Sequence, residues 1–121
     1  MTVEDIAAVV YAAYRATSGN LYGERPPGWE DASKQTQQAV RAWVKGALAG
    51  QTPKMQHDLW VRQMTMRGWA YGYFMNPAER RHVLLGPYDG LSAEQKYVDA
   101  IGYGIVRAFV AIAGKTGESD G

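Results

Sequence analysis

His57, Asp58 and His82 are the side chains of this sequence best suited in type to hold a zinc ion. His57 and Asp58 are adjacent, however, and adjacent residues on a helix point to different faces, so a hydrogen-bonded His57 against Trp60 is the simpler expectation. A hydrolytic serine needs a base and an orienting group, yet Ser18, Ser33, Ser92 and Ser119 stand in cap, turn or tail contexts, and no Gly-x-Ser-x-Gly turn occurs. Asp89, Glu94 and Asp99 cluster where a helix is expected to start, and acidic residues are common there without any catalytic role. Gly102-Tyr103-Gly104 lies inside an apolar helical pattern, with Arg107 where a third glycine would complete a phosphate loop. The sequence therefore offers no catalytic constellation and calls for neither metal nor cofactor.

A different grouping is chemically more informative. Trp60, Trp69, Tyr71 and Tyr88 fall in the stretch that also carries Lys54, Arg62, Arg67, Arg80 and Arg81, against which stand only Asp58 and Glu79. Aromatic surface beside concentrated positive charge suits a planar base attached to phosphate, stacked on one side and charge-paired on the other. A packed hairpin with solvated arginines accounts for the same residues. Trp43, on a helical stripe, reads as structural.

These residues need elements to position them. Thr2 caps a first helix with Glu4 and Asp5 in its first turn, Val3, Ile6, Val10 and Ala13 on its inner face, and Ser18-Gly19-Asn20 as a stop. Residues 20–28 read as a loop that Trp29 pins to the core. A second helix spans about residues 32–49, with Thr36, Val40, Trp43 and Ala47 inward and Gly50 beyond its end. Thr52-Pro53 opens a third, which carries His57, Trp60, Val61 and Met64 on one face and stops at Gly68. Alternation over residues 69–74, the Asn76-Pro77 turn and a short strand at residues 82–85 predict a hairpin. Ser92 and Gln95 form a capping box for a fourth helix with Val98, Ile101, Ile105, Phe109 and Ile112 buried, and with another backbone packed against Gly102 and Gly104. Residues 114–121 read as a disordered tail behind one domain of residues 1–113. The fold class is α+β, mainly helical, with four helices around the hairpin.

Cysteine is absent, which excludes disulfides and thiolate chemistry, and the net charge of +1 provides no overall field for nucleic acid or an anionic membrane. The start, Met1-Thr2-Val3-Glu4-Asp5, is acidic where a signal peptide needs basic residues, and no apolar run approaches the ~20 residues of a membrane helix. A cytoplasmic protein is the expectation.

The order and spacing of His57-Asp58-Leu59-Trp60, Gly68-Trp69-Ala70-Tyr71-Gly72, Arg80-Arg81-His82, Pro87-Tyr88, Leu91 and Lys96-x-x-Asp99 resemble the Ry domain, the repeat of ryanodine receptors that also occurs as a single copy in bacterial and phage proteins. The resemblance covers about residues 53–109 and extends more loosely upstream through Ala12, Arg15, Trp29 and Glu30. Val83 departs from it where the family usually has proline, and Gly86 where it has a second valine or similar residue. It implies helices around a small hairpin, and binding of an adenine nucleotide in a cleft between two repeats, held by the residue matching Trp60. A free-standing copy would then form a homodimer with two Trp60 rings facing one ligand. The resemblance also implies His57, Tyr71 and Arg81 near the ligand, with Lys96 and Asp99 at the start of the fourth helix; Trp69, Arg80, His82 and Tyr88 of the same stretch complete the expected ligand-binding set. The function expected is a nucleotide-binding module, a sponge or sensor for an adenine-containing (cyclic) nucleotide immune signal. The alternative is a protein-interaction or structural domain without a small-molecule ligand.

Overall fold

The computed structural model describes residues 2–22 and 26–120, and side-chain surroundings for residues 2–17 and 26–113. Four helices, α1 (Val3–Tyr22), α2 (Lys34–Leu48), α3 (Pro53–Met66) and α4 (Ala93–Asp120), carry most of the chain, and two short strands, β1 (Ala70–Tyr71) and β2 (Arg81–His82), lie between α3 and α4.

Local chemistry sets most of the boundaries. Ser33 accepts from the Thr36 amide to start α2, and Thr52 accepts from the Met55 amide with Pro53 in the first turn of α3. Gly50 and Gly68, with φ of 92° and 86°, take the left-handed conformation beyond α2 and α3 that side chains disfavour. Ser92 Oγ accepts from the Gln95 amide at 3.1 Å, but the Gln95 side chain turns to Asp99 instead of closing the capping box.

The core lies where α1, α2 and α4 meet. Ile6, Ala7, Val10, Val44, Ala47 and Val106 form its buried centre, and Trp29, Trp43, Tyr103 and Phe109 pack around it. The loop before α2 is tied down by the Tyr11 hydroxyl, which donates to the Pro27 carbonyl at 2.7 Å, and by Arg15 Nε, which donates to Pro26 at the same distance. Trp29 stacks obliquely on Tyr11 and donates its indole N–H to Glu4, whose carboxylate also pairs with Arg41. That guanidinium holds the Glu4 carboxyl below its usual range.

Five expectations are corrected. The strands pair in parallel, with Ala70 opposite Arg81 and Tyr71 opposite His82, so there is no hairpin. Asn76 Oδ1 accepts from the Glu79 amide and winds residues 77–79 into a 3-10 turn, and Arg80 then takes a left-handed φ of 56°, which sends β2 in the same direction as β1. Both strands stop at two residues, so His82 ends β2, and Val83, Leu84 and Leu85 lie beyond it. Ser18-Gly19-Asn20 does not stop α1, which runs to Tyr22. Along α4 the buried positions are Gly102 and Val106; Val98, Ile101, Ile105 and Phe109 are half-buried, Ile105 and Phe109 packing on the core, and Ile112 is 60% exposed. The helix continues to Asp120, and the side chains of the expected tail lie outside the described residues.

The fifth concerns the two α4 glycines. A Cβ on Gly102 would stand 3.0 Å from the Trp43 ring and 3.5 Å from Val10, whereas a Cβ on Gly104 would meet nothing within 4 Å. Only Gly102 is there for close packing. Gly104→Ala should therefore stabilise the protein by roughly 0.5–1 kcal/mol through helix propensity. Gly102→Val should destabilise it by about 1–3 kcal/mol through overpacking. Urea denaturation of both variants reads the opposite signs, and equal effects would contradict this packing.

Candidate functional site

α3 lies across the end of the three-helix core, touching α4, α2 and the short turn at Tyr88–Gly90. Its inner face presents His57, Trp60, Val61 and Met64, all half-buried, as their spacing predicts. Onto this face fold the strands and the segment leading to α4, and a continuous series of ring contacts results. Lys96 Nζ stands 5.7 Å above the Tyr88 ring, which lies 6.0 Å from His57. His57 is 5.6 Å from Trp60, Trp60 meets His82 edge-on at 4.9 Å, and His82 is 6.2 Å from Trp69. Six of the ten residues singled out by sequence thus join in one ladder.

Two backbone bonds hold the ladder in place. His57 Nε2 lies 2.7 Å from the Gly86 carbonyl, fixing α3 to the segment after β2. That bond uses the backbone at a position where the sequence departs from the family pattern, and it does not depend on the side chain there. His82 Nδ1 accepts from the Leu84 amide at 3.1 Å, which places the ring proton on Nε2. Burial pushes the His82 pKa below its ordinary 6.5, and protonation would also destroy the Leu84 bond.

The sign of the resulting pH dependence follows from that shift. Above about pH 6.5 both folded and unfolded chains carry neutral His82; below it the unfolded chain takes up the proton first, so the folded state loses stability as the pH falls toward the depressed folded value. Asparagine at this position can keep an acceptor for Leu84 without titrating. Denaturation midpoints at about pH 7.5 and about pH 5.5 should differ less in His82→Asn than in the wild type. An undiminished difference would place the acid sensitivity elsewhere.

The other four residues stand apart from the ladder. Tyr71 is exposed and pairs with Tyr73 at 6.0 Å. Arg80 donates from Nη1 to the Arg67 carbonyl at 2.8 Å, so it satisfies the end of α3. Arg81 is exposed, reaches the Tyr71 carbonyl at 3.4 Å, and has no salt bridge among the described residues. Its Cβ also lies only 2.8 Å from where a Cβ on Gly72 would be, which accounts for glycine there.

Asp99 is half-buried, accepts from Gln95 Nε2 at 3.3 Å, and lines a groove among α1, α2 and α4. Burial raises its pKa, opposed by the Gln95 bond and the nearby His57. Burial, Asp99 and Asp89 together raise the Tyr88 pKa. The sequence reading missed this groove because its walls come from three helices distant along the chain, and Tyr11 and Tyr14 carried no motif. Among the described residues, no three His, Asp or Glu side chains gather so as to hold a metal ion. No helix among them is long and apolar enough to cross a membrane.

Comparison with known proteins gives one match: the family model described as the RyR domain covers residues 43–112. It therefore spans the end of α2, all of α3, both strands and α4 as far as Ile112, and includes every rung of the ladder. No curated protein matches, and no solved structure does.

Proposed function

The chain belongs to the RyR domain family, and we propose that it binds an adenine-containing, phosphate-bearing nucleotide against the Trp60 ladder, without chemical conversion and as a homodimer. The observation that carries this reading is the continuous aromatic series from Tyr88 through His57, Trp60 and His82 to Trp69, with Lys96 at one end. Half-buried rings offer a stacking surface that tolerates base identity, so hydrogen bonds must supply selection, and the groups proposed for it are the ring nitrogens of His57 and His82 not used in their backbone bonds, in place of the Asp99 expected with His57 from sequence. Arg81, whose bond to the Tyr71 carbonyl is long at 3.4 Å, and Lys96, which donates to the Asp89 carbonyl at 3.0 Å, are the cations proposed to meet phosphate, while Arg80 donates to the Arg67 carbonyl at the end of α3. The family's paired-repeat cleft requires a second subunit in a free-standing copy, so two chains would enclose one ligand. Such a protein would act in the cytoplasm, that of the host if phage-encoded, as a sponge or sensor for a nucleotide immune signal.

A second reading is favoured by a separate observation. Tyr73 and Phe74 are 86% and 83% exposed, beside half-exposed Met75, and such a patch suits a protein-interaction surface. Incubation with linear and cyclic adenine nucleotides, followed by denaturation and recovery of the ligand, separates these readings. Sequestration returns the nucleotide intact, an enzyme returns it altered, and an interaction domain retains none. Light scattering with and without nucleotide should give a dimer mass, and a monomer in both would remove the shared-cleft arrangement.

A further inference from the structure

The helices α1, α2 and α4 do not close fully over their own core. Between them lies a groove of about 360 Å³, within the size range of small-molecule sites. Tyr11 and Tyr14 of α1, Val40 and Trp43 of α2, and Ile101 of α4 give it an apolar and aromatic wall. The Tyr11 hydroxyl is already bonded to Pro27 and so presents mainly its ring. Asp99 is the one charged side chain among the described residues that line the groove. Its carboxylate accepts from Gln95 and has no salt bridge among the described residues. Much of the wall is α1, which lies outside residues 43–112, so the groove is not accounted for by the family-matched part of the chain.

A carboxylate set in apolar surroundings gains most from a partner that brings the opposite charge and a hydrogen-bond donor. Aromatic faces attract an ammonium as well, and among the described residues no Lys or Arg lines the groove to receive an anion. We propose that this groove is a binding site for a small organic ammonium with a flat apolar body, the ammonium pairing with Asp99 and the body lying between Tyr14 and Trp43. The groove borders the Trp60 ladder, since Asp99 interacts electrostatically with His57 and Tyr88, but the proposal does not rest on nucleotide binding.

The test is titration calorimetry of the full chain with three probes that share an indole ring: tryptamine, neutral 3-methylindole and anionic indole-3-acetate. Tryptamine should bind at least roughly tenfold more tightly than the neutral probe, and the anion should bind least. Asp99→Asn should erase the preference for the amine, whereas Met66→Ala, at an exposed position at the end of α3, should leave it unchanged. If Asp99→Asn does not fold, Ala39→Phe, which projects a ring into the groove and leaves the carboxylate in place, should weaken tryptamine binding. The proposal is overturned if tryptamine binds no better than 3-methylindole, if its preference survives Asp99→Asn, or if Ala39→Phe leaves its affinity unaltered.

Discussion

Trp43→Ala is expected to destabilise the protein by about 3 kcal/mol, the lower end of the range for emptying a core tryptophan site, with a fall in Tm of the order of ten degrees. Trp43 is the α2 side chain that bridges to α4: its ring edge lies against Gly102, it packs on the Val44 and Val106 cluster, and it forms one wall of the apolar groove. Removing the ring would join its volume to the groove. Water could then enter part of the space, which is the reason for the lower end of the range. The α3 link should survive, because Gln56 Nε2 bonds to the Trp43 backbone carbonyl at 3.0 Å and not to the ring. A shifted urea midpoint with an unchanged m-value is the expected signature. A loss below about 1 kcal/mol would mean that α2 and α4 are held together by other contacts.

Trp60→Ala is expected to act on binding instead. Base stacking on an aromatic is worth about 1–3 kcal/mol by alanine substitution, so the variant should bind an adenine nucleotide roughly five- to 150-fold more weakly. Its stability should fall less than that of Trp43→Ala, because Trp60 touches His57 and His82 at the end of the bundle and lies outside the buried α1-α2-α4 cluster. Trp60→Phe keeps a stacking face and should recover part of the affinity. Arg81→Ala and Lys96→Ala should chiefly reduce the salt dependence of binding, since their contribution is charge pairing from an exposed Arg81 and a half-buried Lys96. Calorimetric titrations at low and moderate salt, with thermal melts of each variant, measure these effects. Unchanged affinity in Trp60→Ala would dismiss the stacking mechanism. Destabilisation as severe as that of Trp43→Ala would make Trp60 a core residue and move attention to the exposed Tyr73 and Phe74 surface.

What was legible from sequence was whatever depends on near neighbours. Ser33, Thr52-Pro53, Gly50 and Gly68 mark helix ends because caps and left-handed turns are made by residues three or four apart. The shared face of His57, Trp60, Val61 and Met64 follows from helical periodicity alone. The ladder was partly legible as well: the spacing of His57-Trp60, His82 and Tyr88 carried the family resemblance that the match over residues 43–112 bears out.

What depends on distant segments was decided by tertiary structure. Aromatic alternation with an Asn-Pro turn describes a hairpin equally well until the Asn76 side chain caps a 3-10 turn and Arg80 adopts a left-handed φ, which makes β1 and β2 parallel. Gly102 and Gly104 are alike in sequence, and only the position of Trp43, about sixty residues away along the chain, distinguishes them. Asp99 was grouped with the ladder because Lys96-x-x-Asp99 is part of the family resemblance, yet its side chain lines a groove among α1, α2 and α4. Periodicity specifies which side of a helix is apolar. Which neighbour covers that side, and how completely, is settled only when all three helices pack at once.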